Sequence, residues 1–152
     1  MIDRQFANFL EEGLGIHIAT RDERLQPSGA RGLAVKVEDD GVHLTVFVAK
    51  IAVNRILADL QSNSQAAVVF GRPIDDRSAQ VKGIFVDMRP ARASERDLVI
   101  GQWEGFRDQL ERIGIPRETS AAWVTWPAVA IKLKATALFE QTPGPQAGAR
   151  LG

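Results

Sequence analysis

Four basic side chains in the first half of the chain have the type and spacing that could bind a phosphate group. Arg31 and Lys36 lie on one predicted strand, and Lys50 and Arg55 flank the start of a predicted helix. A helix N-terminus offers free backbone amides, and a guanidinium matches the geometry of a phosphate. An Asp-Gly hairpin signal follows the strand of Arg31, so antiparallel pairing would bring Arg31 close to Lys50. Spacing alone favours ordinary surface cations, and the phosphate site is therefore a hypothesis.

Gln80 and Lys82 share one face of a later predicted strand. A glutamine there could hydrogen-bond the edge of a heterocycle through its donor and its acceptor, although a solvated strand face explains the pattern equally. Trp123 and Trp126 flank a predicted loop and could wall a planar ligand or form a subunit contact. Trp103 lies on the apolar stripe of a predicted helix, which is typical of a packed residue.

No catalytic constellation is visible among the remaining residues. The absence of cysteine excludes disulfides, thiolate metal sites and a cysteine nucleophile. The chain has only two histidines, His17 and His43, which argues against an all-protein zinc site. A lone histidine on an apolar strand, such as His17, is typical of a packed or edge residue. We therefore predict no metal site and identify no catalytic residue.

Length and charge narrow the class of protein. The 152 residues fit one domain, and 45% hydrophobic with 25% charged residues is a usual globular mixture. Nineteen basic and 19 acidic residues give a formal net charge of zero, so nothing global favours nucleic acid. No apolar run approaches the roughly 20 residues that span a bilayer, and acidic residues interrupt the N-terminal segment. We expect a cytoplasmic protein with no nucleic-acid or membrane partner.

The elements that must position these residues follow from hydrophobic periodicity and turn signals. Helices are predicted over residues 2–14, 50–60 and 94–113, with Asp3 capping the first and a Ser94–Asp97 capping box opening the last. Strands are predicted over residues 15–20, 30–37, 42–48, 66–70, 78–88 and about 128–139. Short connections favour antiparallel pairing, and about six strands would close into a small barrel. Residues 1–140 form the predicted domain, and residues 141–152 an extended tail.

The order of these segments resembles a known family. The run ARGLAVK, the Asp-Gly hairpin, VHLTVFVAK, a helix and AAVVF resemble the pyridoxamine-phosphate oxidase superfamily of FMN-binding split barrels. DRSAQVKG resembles the next strand, and WPAVAIKLKATALFEQTPGPQAG is similar to the C-terminal strand and tail of relatives of that oxidase. The resemblance covers nearly the whole chain through moderately specific motifs. It implies a mainly β fold, a six-stranded antiparallel split barrel that forms a homodimer with FMN at the subunit interface.

The resemblance also implies roles for particular residues. Arg31 would contact the flavin phosphate, and Gln80 would reach the flavin from the partner subunit. Lys50 and Arg55 are the candidates for the basic pair that grips the phosphate after the third strand. The residues that would line the flavin ring are Gly32, Leu33, Ala34 and Val35, with Lys36 near flavin and substrate, and with Phe47 and Val48 approaching through the backbone.

The implied activity is that of an FMN-dependent oxidoreductase, in which the flavin carries the hydride chemistry and no protein acid or base is required. The chain lacks the C-terminal arginine and histidine set with which the oxidase holds its pyridoxal substrate. We therefore expect a different, unidentified substrate. The alternative is a non-catalytic homodimer that holds flavin, haem or a deazaflavin. Reduction of a bound flavin by NADH or NADPH would distinguish the two.

Overall fold

A computed structural model describes residues 1–152, and six antiparallel strands in it close into a barrel. The hydrogen-bonded order is β3-β2-β1-β4-β5-β6, and β3 pairs with β6 to complete the closure. The strands are β1 Gly15–Arg21, β2 Pro27–Val37, β3 His43–Ala49, β4 Gln65–Gly71, β5 Ser78–Pro90 and β6 Ala128–Glu140. The predicted mainly β, six-stranded antiparallel split barrel is confirmed.

Three α-helices accompany the barrel: α1 Arg4–Leu10, α2 Asn54–Asn63 and α3 Arg96–Arg112. Short 3-10 turns cover Lys50–Ala52, Ala93–Glu95 and Arg117–Ser120. The segment after β6 folds back, and β7, Arg150–Leu151, pairs with the end of β6. None of the helices has the length and apolar character needed to cross a membrane.

The barrel interior is filled by the alternate side chains of its strands. Helix α2 contributes Ile56 and Leu60 to this core, and α1 contributes Phe9 and Leu10. The fully buried strand residues at its centre include Ile16, Ile18, Leu44, Val46, Val68, Phe70, Val81, Ile131 and Leu133. The alternation that predicted the strands therefore marks the inward-facing residues.

Helix α3 covers only part of the outer surface of the barrel. Its Val99, Trp103 and Phe106 pack on outward residues of β2, β3 and β6. The outer faces of β1, β4 and β5 lie outside this second apolar cluster. One side of the barrel is consequently sealed by a helix and the other presents bare sheet.

A β-bulge on β2 lies beside the contact between this strand and α3. The register with β3 shifts between Gly32 and Ala34, and a Cβ atom on Gly32 would lie 2.5 Å from Cγ2 of Ile16. Beyond the bulge, Gln102 of α3 binds the β2 backbone twice. The N–H of Val35 donates to its Oε1 at 2.9 Å, and its Nε2 donates to the carbonyl of Val35 at 2.8 Å.

Several predicted boundaries were wrong. The first helix is shorter than residues 2–14, although Asp3 caps it as predicted, with Oδ1 2.7 Å from the N–H of Phe6. The helix predicted over 50–60 is a 3-10 turn followed by α2. The Ser94–Asp97 capping box is absent, because the Glu95 carboxylate instead accepts from the N–H of Arg92 at 2.8 Å. Strand β2 begins at Pro27, a residue that a strand tolerates at its first position.

Candidate functional site

A cleft of about 420 Å³ opens at the end of β3 beside β2. Its single charged lining residue is Arg31. The other lining residues are apolar and come from β2, from the segment after β3 and from the loop that follows α3: Leu33, Ala49, Ile51, Ala52, Ala122, Trp123 and Val124. A mostly apolar cavity with one convergent charge is the usual form of a small-molecule site.

The guanidinium of Arg31 rests on aromatic rings. Its Cζ lies 4.2 Å from the ring centroid of Trp123 and 5.3 Å from that of Phe106. Trp123 in turn stacks on Trp103, with centroids 5.6 Å apart. Space for Phe106 comes from Gly15 on β1, where an added Cβ would lie 3.1 Å from the Phe106 ring. These contacts hold the planar cation in place without using its hydrogen-bond donors.

Those donors lack an acceptor from the protein. The Nε of Arg31 is buried and makes no hydrogen bond. Burial lowers the pKa of Arg31, and no carboxylate counteracts that effect. An arginine stays charged in proteins, so this is a half-buried cation without a counter-ion. A buried polar group without a partner is costly, and an anion in the cleft would remove that cost.

His17 lies directly opposite Arg31 across the β1–β2 pair. Its pKa is lowered by burial and, to a smaller extent, by the charge of Arg31. The other histidine differs, because Nδ1 of His43 lies 2.6 Å from Oδ2 of Asp40. The same cross-strand row continues from His17 to Val69 on β4 and to Gln80 on β5.

Comparison with known proteins adds the fold relationship. No protein-family model and no curated protein matches the sequence. Among solved structures, an F420 reductase has a TM-score of 0.61 at 16% identity, over 90% of this chain and 98% of that one. HupZ from Group A Streptococcus has a TM-score of 0.60 at 14% identity, over the whole of both chains. A candidate pyridoxamine 5'-phosphate oxidase from Lactobacillus delbrueckii has 0.56 at 13% identity, over 90% of this chain and 92% of that one.

The protein has the pyridoxamine-phosphate oxidase-like split-barrel fold. These similarities extend over nearly the whole chain, as the sequence resemblance does. At such low identity they establish the fold of the barrel and assign no residue of it.

In this split barrel, part of the predicted site converges on the cleft. Arg31 and Leu33 line it directly. Lys50 is exposed and lies between the lining residues Ala49 and Ile51, with its N–H bonded to the carbonyl of Pro127 at 3.0 Å. Arg31 therefore lies close to the end of β3, as the hairpin pairing predicted.

Other predicted residues of the split barrel lie elsewhere. Gly32, Val35 and Val48 point into the barrel interior, and Ala34 and Phe47 are covered by α3. Two of the cations are exposed outside the cleft lining: Lys36, which pairs with Thr45 across β2 and β3, and Arg55 in the first turn of α2. Gln80 is half-buried on β5, three strands away from Arg31.

Some residues of the cleft were not predicted from the sequence. Ala49, Ile51 and Ala52 form its wall, and Phe106 of α3 supports Arg31. The apolar residues after β3 carry no chemical signal, and the stripe that holds Phe106 indicates only packing. Trp123, predicted as a possible wall of a planar ligand, does line the cleft.

Proposed function

We propose that this split barrel binds FMN in the cleft beside Arg31 and, as a homodimer, acts as a flavin-dependent oxidoreductase on a substrate other than pyridoxamine phosphate. The observation that carries the proposal is the half-buried Arg31 cation, which has a buried Nε without a partner at the mouth of an apolar cleft. Names of two structural neighbours, an F420 reductase and a pyridoxamine 5'-phosphate oxidase, support a redox role.

The residues of the cleft suit both the phosphate and the ring system of a flavin nucleotide. Arg31 offers a fork of N–H donors for the phosphate, and the exposed Lys50 at the cleft edge adds a second cation. Apolar side chains suit a flat ring system, and the cleft volume falls within the roughly 300–1,000 Å³ of small-molecule sites. FMN, when bound, supplies the hydride chemistry, so the chain needs only to bind and shield it.

A homodimer interface is supported by the bare outer face of β1, β4 and β5. Its central residues are small: Ala19 on β1, Gly29 on β2 and Ala67 on β4 lie side by side across the strands. Val69 beside them is 36% exposed. Small side chains at the centre of the face let a second sheet approach closely, and polar residues such as His17 and Lys82 surround them, which is an arrangement typical of interaction surfaces.

The cross-strand row explains how a second copy would complete the site. Arg31 and Gln80 lie at opposite ends of the row, three strand spacings or about 14 Å apart. A two-fold axis that runs along the strands between β1 and β4 would place Arg31 of one protomer over Gln80 of its partner. The row therefore supports the expectation that Gln80 acts across the interface.

The test is a visible absorption spectrum of the purified protein after incubation with FMN and desalting. We expect retained flavin bands in the wild type and a more than about tenfold weaker affinity in Arg31→Ala, because charge-assisted hydrogen bonds contribute about 1.5–3 kcal/mol. Lys134→Ala, which removes an exposed cation of β6, serves as the matched control and should bind normally. A wild-type protein that stays colourless would refute FMN binding.

A second measurement separates enzyme from carrier. Bound flavin that NADH or NADPH reduces, and that reoxidises faster than free FMN, would support the oxidoreductase. Flavin that binds but does not turn over would support a non-catalytic flavoprotein. A Soret band, or retention of a deazaflavin in place of FMN, would move the assignment to the other cofactors.

A further inference from the structure

We propose that His17 and Arg31 form one anion site on the outer face of the barrel, in which the imidazole takes up a proton when a phosphate dianion binds. The inference rests on the proposed function in taking Arg31 as the phosphate ligand. It adds a second ligand and makes binding at this site depend on pH. Nothing in the sequence pattern of His17 distinguishes it from an ordinary strand residue, so the inference comes from the register of β1 and β2.

The pairing of β1 with β2 makes the side chains of His17 and Arg31 neighbours. His17 and Arg31 are directly opposite on antiparallel strands, and such pairs have Cβ atoms about 4.5–5.5 Å apart. Both stand on the outer face, because the flanking residues Ile16 and Ile18 are fully buried inside the barrel. In the proposed site, an oxygen bound by the free N–H donors of Arg31 is shared with the imidazole, which stands on the same face of the sheet and is not one of the residues that line the cleft.

The groups that surround His17 leave its ring free for this role. On β2 it faces Arg31, and on β4 it faces Val69. Helix α2 also contacts β1, but its Asp59 carboxylate accepts a hydrogen bond from Thr20 at 2.7 Å. The imidazole has no hydrogen-bond partner and no carboxylate beside it, and Arg31 is the single charge that acts on it.

The charges of Arg31 and of the bound anion explain why anion binding would depend on pH. Burial and, to a smaller extent, the uncompensated Arg31 cation hold the pKa of His17 below its ordinary value. A bound dianion reverses the local charge and favours the imidazolium, so proton uptake and anion binding strengthen each other. A rise of about one pKa unit on binding corresponds to an affinity about tenfold higher at the pH where the ring is charged.

The direct test follows the imidazole proton signals by NMR while inorganic phosphate is added. The chain has two histidines, so His43→Gln assigns both signals and His43, bound to Asp40, is an internal control. We expect phosphate to raise the pKa of His17 by about one unit, to cause no change in the position of the His43 signal at fixed pH, and to have no effect on His17 in Arg31→Gln. A His17 signal that titrates identically with and without phosphate would overturn the proposal.

Flavin affinity gives the second test. Wild-type affinity for FMN should rise about two- to threefold as the pH falls from about 8 to about 6.5, a range above the second pKa of the phosphate, and His17→Gln should abolish this rise. FMN binding with no pH dependence in the wild type would refute the role of His17 while leaving the proposed function intact. Failure to bind FMN at any pH would refute the proposed function, and the phosphate titration would still decide the anion site.

Discussion

At the scale of single residues, aromatic rings pack against the planar guanidinium of Arg31, while the N–H donors along its edge have no hydrogen-bond partner. Stacking against Trp123 and Phe106 orders the guanidinium before any ligand arrives. Because the cation is already ordered, hydrogen bonds to an anion cost less conformational entropy than those of a mobile side chain. The Trp103–Trp123 stack extends the same support into α3, so the position of the Arg31 side chain on β2 depends on a helix more than 60 residues further along the chain.

Gly32 is the neighbouring residue whose size matters most. We expect Gly32→Ala to destabilise the fold by about 1–3 kcal/mol, because the new methyl group would overlap Cγ2 and Cβ of Ile16, at 2.5 and 2.9 Å. Urea denaturation measures the change. Gly101→Ala at an exposed position of α3 is the control, since no atom lies within 4 Å of an added Cβ there, and it should be no less stable than the wild type. Equal stability of both variants would contradict the tight packing at Gly32.

At the scale of elements, the strands were predictable and the docking of α3 was not. Period-two alternation and the Asp-Gly signal identify β1 to β6, and Gly41 does adopt φ 63° in the predicted hairpin. The bulge at Gly32 leaves no mark in the sequence pattern. The same is true of the free Val35 backbone that Gln102 binds, which is unpaired because β1 pairs with β2 only as far as Gly32. The pairing of His17 with Arg31 likewise needs the register of two strands, which short-range patterns do not fix.

An ion pair joins the start of α3 to β5, and its contribution to stability is lost at acid pH. Both Arg89 Nη atoms donate to the Glu95 carboxylate, at 2.8 and 2.6 Å, and this lowers the pKa of Glu95 from 4.5 to about 2. Because the native pKa is depressed, the stabilisation is complete above pH 4.5 and disappears as the pH falls towards 2.

We therefore expect Glu95→Gln to be less stable than the wild type by about 2 kcal/mol at neutral pH, from the loss of charge-assisted hydrogen bonds. Urea midpoints measured from pH 7 downwards should converge below pH 4.5. Glu111→Gln, at an exposed position of the same helix, is the control and should follow the wild type at every pH. A Glu95→Gln deficit that stays constant with pH would contradict the ion-pair account.

At the scale of the whole molecule, the barrel has one covered and one bare side. Helix α3 covers the second half of β2, β3 and the first half of β6, while the outer face formed by the first half of β2 with β1, β4 and β5 carries small residues and the row from Arg31 to Gln80. This asymmetry is difficult to predict from sequence, because alternation gives the same polar face to a solvated strand and to one that meets a second copy. Ala19 and Ala67 show the ambiguity, since alanine suits either environment.

The dimer proposal predicts an oligomeric change on substitution in this face. We expect the wild type to sediment at twice the chain mass of 16.6 kDa, and Ala19→Glu to sediment as a monomer that has lost FMN, because the interface would bury an unpaired carboxylate. Ala58→Glu, at an exposed alanine of α2, should remain dimeric. Sedimentation of the wild type at the mass of one chain at micromolar concentration would refute the dimer.

The closure of the barrel by β6 has a consequence for synthesis on the ribosome. Strand β6 fills the gap between β3 and β5, although about half of the chain separates residues 43–49 from residues 128–134. Until that segment leaves the exit tunnel, β3 and β5 each expose an unpaired strand edge, and such edges invite association with other chains. The nascent protein therefore passes most of its translation as an open sheet and becomes a barrel only when β6 emerges.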